Sequence, residues 1–334
     1  MLLSILSFIL VFCTLVLFHE FGHFAAAKLN GIYVHEFSIG MGPKLLKKQG
    51  KETLYTIRAF PIGGFVNMEG EDEKSDHPRS FSSKSPLRKL SVLVAGPFMN
   101  FILAMILLFV LFITLGFPTN IMGEITPDSP AFKAGIETND RIVAINGVEI
   151  TNWDDIISNI SDSKSSELIK IDLEKNDGSL KTISLIPMLD EETGRSLIGI
   201  RYLPKKDIGK SAYFAITNVG NISKEIVTFL VSMPFKGVSD GDVVGPVGMY
   251  KMIGSAAQSG ILDLLSLGAL ISINLGIFNL LPFPALDGGR IVFILIEFVR
   301  GKPLNEEVEG KIHFIGFAIL ITLMILLVFK DVLR

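Results

Sequence analysis

Four long apolar stretches divide the chain, and each is long enough to form a membrane-spanning helix. They cover residues 1–28, 90–117, 261–287 and 312–330. A helix needs about 20 predominantly apolar residues to cross the hydrocarbon core of a bilayer. The pattern therefore predicts a polytopic α-helical membrane protein with about four transmembrane helices, all in contact with the lipid bilayer.

The first apolar stretch has an alternative interpretation as a cleaved signal peptide, because Ala25, Ala26 and Ala27 resemble a cleavage site. No Lys or Arg precedes the stretch, however, and His19 and His23 interrupt it. A signal peptide has a basic start and an uninterrupted apolar centre. A retained membrane helix is therefore the favoured interpretation.

Between the second and third apolar stretches the pattern changes to short runs in which polar and apolar residues alternate. Over residues 120–204 this alternation predicts a strand-rich globular domain, large enough to fold alone. Asn176-Asp177-Gly178 predicts a hairpin turn within it, because glycine tolerates the positive φ of such turns. The apolar spacing over residues 208–235 predicts a partly amphipathic helix inside a linking region of residues 205–260.

Composition agrees with a membrane protein, since 49% of the 334 residues are hydrophobic and only 19% are charged. The net charge of -3 provides no basic field for nucleic acid, and nucleic-acid binding is excluded as a predicted function. Lys and Arg residues concentrate in two connections, residues 29–89 and 288–311. Positive charge favours the cytoplasmic side, so the amino terminus and residues 120–204 are predicted to be extracytoplasmic.

The most informative polar residues are His19, Glu20 and His23, which lie at the cytoplasmic end of the first predicted helix. In a helix the two histidines share one face and can bind one zinc ion, while Glu20 acts as the general base. The alternative is a pair of core histidines bonded to backbone carbonyls. Each ionisable group at bilayer depth costs about 2.5 to 3.5 kcal/mol, so three together favour a functional site.

Two histidines leave a zinc site short of a third protein ligand, and Asp287 is the favoured candidate. It follows Pro282 and Pro284, which interrupt a membrane segment, and irregular backbone at that depth is tolerated mainly where it lines a cavity. Taken alone, Asp287 is more typical of a turn and of the start of a helix over residues 290–299. His35, His77 and His313 lack carboxylate neighbours arranged for a metal site.

The chain contains four motifs that are informative when taken together. They are HEFGH, RKLSVLVAGPFMNFILA, GPVGMYKMIG and NLLPFPALDGGR, at residues 19–23, 88–104, 245–254 and 279–290. Together they resemble the site-2 protease family of intramembrane zinc metalloproteases, and most of all its bacterial RseP type.

The resemblance implies that His19, His23 and Asp287 bind Zn²⁺ and that Glu20 is the catalytic acid and base. It further implies that Asn274 and Asn279 line the site near the substrate backbone. Hydrogen bonding between membrane helices is the alternative role for these two asparagines.

The stretch Tyr55 to Asp72 resembles the membrane-re-entrant β-hairpin that the family places beside its active site, and the hairpin is predicted over about residues 53–70. Its turn is predicted at Pro61-Ile62-Gly63-Gly64, and the run that follows begins Phe65-Val66-Asn67. Gly64, Phe65, Val66 and Asn67 are the predicted substrate-binding residues, because a sheet edge can bind an extended peptide as an added strand. A short surface hairpin would show the same pattern.

DSPAFKAGIETNDRIVAINGVEI, residues 128–150, is similar to part of a PDZ domain of this family. Many relatives carry two such domains in tandem, whereas residues 120–204 have room for one. The family's sporulation branch carries a cytoplasmic carboxyl-terminal domain and fits this chain less well.

The resemblance thus predicts a multi-pass zinc endopeptidase of the bacterial cell membrane, that is, the inner or plasma membrane. It would cleave single-span membrane proteins, such as anti-sigma factors or remnant signal peptides, after an upstream site-1 type protease has trimmed them. A PDZ-bearing scaffold with an inactive metal site is the alternative. A metal transporter is disfavoured, because it needs several intramembrane ligand clusters along a path.

Overall fold

The computed structural model describes residues 1–71, 75–161, 167–190, 194, 196–237, 243–302 and 304–333. Asp72, the last residue of the predicted hairpin stretch, lies outside this set. In chain order the elements are α1 (Leu2–Leu29), β1 (Val34–Gln49), β2 (Leu54–Met68), α2 (Pro86–Leu115), β3 (Met122–Ile125), α3 (Pro130–Lys133), β4 (Arg141–Ile145), β5 (Val148–Glu149), α4 (Trp153–Ser161), β6 (Ile169–Glu174), β7 (Leu180–Leu185), β8 (Met188–Leu189), β9 (Ser196–Leu197), β10 (Ile200–Tyr202), α5 (Ile208–Lys236), α6 (Pro246–Ser259), α7 (Ile261–Leu280), α8 (Asp287–Arg300) and α9 (Glu306–Leu333).

Four of these helices are long and apolar enough to cross a membrane within the described residues: α1, α2, α7 and α9. The chain is therefore a polytopic helical membrane protein. The predicted end of the third helix at residue 287 is wrong, because α7 ends at Leu280. Pro282 follows closely, and proline can neither donate the next helical hydrogen bond nor fit against the preceding turn.

Two further helices lie where the sequence analysis assigned a linker or a connection. The predicted linking region of residues 205–260 contains α5, as expected, and also α6, which was not predicted. The predicted connection of residues 288–311 contains most of α8, which begins at Asp287 itself. Asp287 thus starts a helix, as its sequence context alone suggested.

The chain reverses direction at the predicted turn Pro61-Ile62-Gly63-Gly64. Residues 36–39 pair in parallel with residues 54–57 and antiparallel with residues 64–67, so these two stretches of β2 run in opposite directions, and Gly63 between them has a φ of 89°. The two stretches do not pair with each other, because residues 36–39 of β1 lie between them. A further turn at residues 50–53 joins β1 to β2, where the Gly50 N–H donates to the Thr53 carbonyl. Entry of this hairpin into the membrane stays a prediction.

The two long strands pair along more than one stretch. Residues 36–39 pair with residues 64–67 and also with residues 54–57, and residues 44–49 pair in turn with β2 near its start. Residues 36–39 are therefore paired on both of their edges. Residues 64–68 pair only with residues 34–39, so they form an outer strand of this sheet. Within the described part of the chain, no strand pairs with their second edge.

A polar cluster ties the hairpin together around Glu36. Its carboxylate accepts hydrogen bonds from Lys44 Nζ at 2.8 Å, Thr56 Oγ1 at 2.7 Å and Arg58 Nη2 at 2.7 Å. Burial acts to raise the pKa of the Glu36 carboxyl, but these bonds outweigh burial and lower its pKa to about 2. Because the partners lie on different paired stretches, the cluster holds the bent strands in register.

Residues 110–214 form a separate compact unit. Its main sheet has the order β5-β4-β6-β7, and β3 pairs with β10. The predicted turn at Asn176-Asp177-Gly178 is confirmed between β6 and β7, with Gly178 at a φ of 81°. Residues of the strands and of α4 fill a core that consists mainly of isoleucine, including Ile142, Ile145, Ile156, Ile169, Ile171 and Ile183.

Candidate metal centre

His19 and His23 lie one turn apart on α1, and their side chains are 12% and 9% exposed. Their Nε2 atoms are 3.2 Å apart. Asp287, the first residue of α8, directs its Oδ2 atom toward both rings, at 3.2 Å from His19 Nε2 and 3.4 Å from His23 Nε2. The fold thus brings together three side chains that the sequence analysis paired across more than 260 residues.

These three atoms have the spacing of zinc ligands. Ligands at about 2.0 to 2.1 Å from a tetrahedral metal ion lie roughly 3.3 to 3.4 Å from one another, which matches the observed separations. Asp287 Oδ2 is buried and receives no well-aligned hydrogen bond. Two imidazoles and a carboxylate are also a common donor set for zinc. The residues present therefore fit a zinc ion.

The hydrogen bond behind His23 shows which of its nitrogens is free to bind metal. His23 Nδ1 lies 2.8 Å from the carbonyl oxygen of Val92 on α2. A carbonyl can only accept, so Nδ1 carries the proton. In the neutral ring Nε2 then presents its lone pair to the centre, as a metal ligand must.

The side chain behind His19 is Asn100, a residue of α2 that the sequence analysis did not single out. Asn100 is fully buried, its Nδ2 lies 3.1 Å from His19 Nδ1, and its Oδ1 has no hydrogen-bond partner. A 180° turn of the amide exchanges the two atoms. The turned amide accepts the His19 Nδ1 proton through Oδ1, which satisfies that oxygen and leaves His19 Nε2 as the ligand. The only feature of the sequence that points to Asn100 is its position in AGPFMN, which is part of the second motif.

Comparison with known proteins assigns the family. Residues 7–323 match the model of peptidase family M50. The chain is 43% identical over 331 residues to a candidate zinc metalloprotease of Clostridium acetobutylicum, covering 98% of this chain and 97% of that protein. It is 32% identical over 418 residues to the regulator of sigma-W protease RasP of Bacillus subtilis, covering 99% and 98%. The chain belongs to peptidase family M50. This is the site-2 protease family, so the protein is a membrane zinc metalloprotease.

Among solved structures, the PDZ domain of an SdrC-like protein of Listeria monocytogenes is 20% identical, with a TM-score of 0.23. The match covers 26% of this chain and 87% of that chain. A TM-score this low does not establish a fold. The PDZ-like interpretation of residues 120–204 therefore stays a prediction.

Two glycines allow the M50 centre to form by letting α1 and α2 approach closely. A Cβ atom on Gly22, inside the HEFGH motif, would lie 2.2 Å from the Ala95 carbonyl oxygen. A Cβ atom on Gly96 would lie 2.2 Å from His23 Nε2, one of the candidate ligand atoms. Any larger side chain at residue 96 would therefore displace the imidazole.

Glu20 lies between the candidate ligands and the outer edge of the hairpin. Its carboxylate is close enough to interact electrostatically with the three ligands and accepts a hydrogen bond from the Val66 backbone. The Glu69 N–H donates to the Tyr33 carbonyl on the β1 side. Backbone groups alternate in direction along a strand, so the Val66 N–H points away from β1, in agreement with its bond to Glu20.

The remaining predicted site residues occupy different surroundings. Gly64 lies beside the candidate centre, because a Cβ atom there would lie 3.3 Å from Glu20 Cγ. Phe65 and Asn67 pair with Ser38 and Glu36 of β1. Asn274 and Asn279 are partly buried on α7. Their predicted contacts with substrate stay a prediction.

Proposed function

We propose that this M50 peptidase is an endopeptidase that cleaves within the transmembrane segments of single-span membrane proteins. The observation that carries the proposal is the position of the candidate centre on α1, a helix long and apolar enough to cross a membrane. A site built into such a helix is suited to substrates that are themselves embedded in lipid. Anti-sigma factors and remnant signal peptides belong to this class.

In the proposed mechanism His19, His23 and Asp287 hold the metal ion and Glu20 transfers protons. A zinc ion bound there would polarise the scissile carbonyl and lower the pKa of the attacking water toward 7. Glu20 would accept the proton of that water and pass it to the leaving nitrogen. Val92 and Asn100 would keep the two imidazoles oriented with Nε2 toward the centre.

We propose that the substrate binds as an added strand along the outer edge of residues 64–68. This edge has no strand partner among the described residues, and Gly64 and Val66 on it adjoin Glu20. A helical substrate must become extended before its peptide bond can reach the centre. Main-chain hydrogen bonds from a free edge would stabilise the extended form.

The edge proposal predicts that Val66→Pro will slow cleavage of a transmembrane substrate by up to about tenfold, since one hydrogen bond is worth about 0.5 to 1.5 kcal/mol. Proline at residue 66 removes the N–H that also donates to Glu20, and loss of that bond alone would slow every substrate equally, whereas loss of edge binding would slow a helical substrate more. Val66→Ala keeps the donor and is the matched control. The measurement is the cleavage rate of both variants at equal zinc content. A substrate that already carries helix-breaking Gly or Pro should be less sensitive, and equal rates for both variants on both substrates would contradict the proposal.

We propose that the compact unit of residues 110–214 acts as a PDZ-like filter on the size of the substrate ectodomain. The unit has its own hydrophobic core, as a separately folding domain requires. Removing residues 120–204 should therefore admit substrates that an upstream site-1 type protease has not trimmed. The measurement compares trimmed and untrimmed substrates with the full chain and the deletion variant. A deletion variant that binds zinc but no longer cleaves a trimmed substrate would refute the filter.

The basic connections favour an orientation with residues 29–89 and 288–311 in the cytoplasm. The proposed centre then lies toward the cytoplasmic side and the filter domain lies outside the cell membrane. Purified full-length protein should cleave single-span substrates and lose this activity when a chelator removes zinc. A scaffold with an inactive metal site is not favoured, because the family and its named relatives are peptidases.

A further inference from the structure

The loop that carries Asp287 into the centre contains a residue in an unfavourable conformation. Ala285, two residues before Asp287, has a φ of 77°. This left-handed region is disfavoured for residues with a Cβ atom, and such residues persist there only where their surroundings hold them.

The hydrogen bond to the strained residue comes from α9. The Ala285 N–H donates to His313 Nδ1, at 3.0 Å. The ring of His313 also packs edge-on against Phe293 of α8, with the ring centroids 5.2 Å apart. His313 therefore has one ring nitrogen directed at the loop, and its orientation is set by the helix that begins with Asp287.

A second contact between α9 and the loop lies one turn further along the helix. Gly316 packs so closely on Pro284 that a Cβ atom at residue 316 would lie 2.5 Å from the Pro284 carbonyl oxygen. Only glycine allows this approach. By contrast, a Cβ atom at Gly310 of the same helix would meet nothing within 4 Å.

We infer that α9 positions the metal ligand Asp287, through the His313 hydrogen bond to Ala285 and the close contact of Gly316 with Pro284. His313 is a positioning residue, since it acts on Asp287 through its hydrogen bond to the Ala285 N–H. This inference rests on the proposed zinc site. It assigns a function to a histidine that the sequence analysis set aside as lacking suitable neighbours.

The test measures the zinc dissociation constant of the purified full chain by competition with a chelator. His313→Leu removes the acceptor and should weaken zinc binding about tenfold, which is the upper range for loss of one hydrogen bond. His313→Asn has the same branching, and its Oδ1 can replace Nδ1 as the acceptor. This variant should bind zinc within about twofold of the unaltered protein.

Adding Ala285→Gly to His313→Leu separates positioning from a general structural role. Glycine adopts a positive φ without strain, so the loop no longer needs the hydrogen bond and zinc affinity should return to within about threefold. A packing defect in α9 would not respond to a change at residue 285. Failure of this rescue, or equal affinities for His313→Leu and His313→Asn, would overturn the inference.

Gly316→Ala and Gly310→Ala form an independent pair on α9. The first should weaken zinc binding at least as much as His313→Leu, and the second should leave it unchanged; equal effects of the two would also overturn the inference. Absence of zinc from the unaltered protein would instead refute the proposed metal centre. The two failures are therefore distinguishable.

Discussion

Glu20→Gln is expected to abolish measurable cleavage while zinc remains bound at about one ion per chain. General acid–base catalysis contributes about 100-fold to 10,000-fold in rate, and the amide of glutamine cannot accept the proton. The ligand atoms of His19, His23 and Asp287 are untouched by this change. Cleavage of a single-span substrate and elemental analysis of the same preparation provide the two measurements.

His19→Ala is the companion variant, because it removes a ligand and should lose both zinc and activity. Comparison of the two variants distinguishes loss of the metal ion from loss of proton transfer. Full zinc content in His19→Ala would refute the ligand assignment. Normal cleavage by Glu20→Gln would refute the catalytic role of Glu20 and would leave the assignment of the metal ligands unaffected.

Gly96→Ala is expected to weaken zinc binding by at least about 100-fold, although it adds only one methyl group. That methyl would lie 2.2 Å from His23 Nε2, so the imidazole must leave the position in which it meets Asp287. Loss of the groups that orient a ligand typically costs 10-fold to 100-fold in metal affinity, and displacing the ligand itself should cost more. Zinc titration of the folded variant measures the effect.

The control for this prediction is Val94→Ala on the same helix. The Val94 side chain is exposed, so shortening it leaves the α1–α2 contact intact. Zinc affinity should not change. If Gly96→Ala binds zinc as tightly as Val94→Ala, then His23 is not held where the structure places it.

The hairpin shows how far local pattern reaches. Pro61, Gly63 and Gly64 have the composition of a turn, and the chain reverses there, since residues 36–39 pair in parallel with residues 54–57 but antiparallel with residues 64–67. The two runs that flank this turn do not pair with each other, because residues 34–39 lie between them. Strand pairing is decided by such distant partners, which local pattern does not encode.

Asp287 was predicted as a ligand only because its own sequence context was combined with a distant motif. Alone it marks the start of α8, and it does start that helix. Its pairing with the His-Glu motif predicted that it lies beside the two histidines, and its Oδ2 atom lies 3.2 Å from His19 Nε2. Asn100, Gly96 and His313 had no comparable partner motif, and their surroundings became visible only in the folded chain.

The sequence by itself predicted the four membrane helices, the strand-rich unit and the three candidate metal ligands. The helices and the unit follow from apolar length and alternation, and the two histidines follow from their helical spacing, all of which act within a few turns or strands. Asp287 needed the distant His-Glu motif as well. Tertiary structure alone decided the strand order of the hairpin, the free edge at residues 64–68 and the groups that orient the ligands. Those features depend on which distant backbones approach closely, and no short-range periodicity encodes that approach.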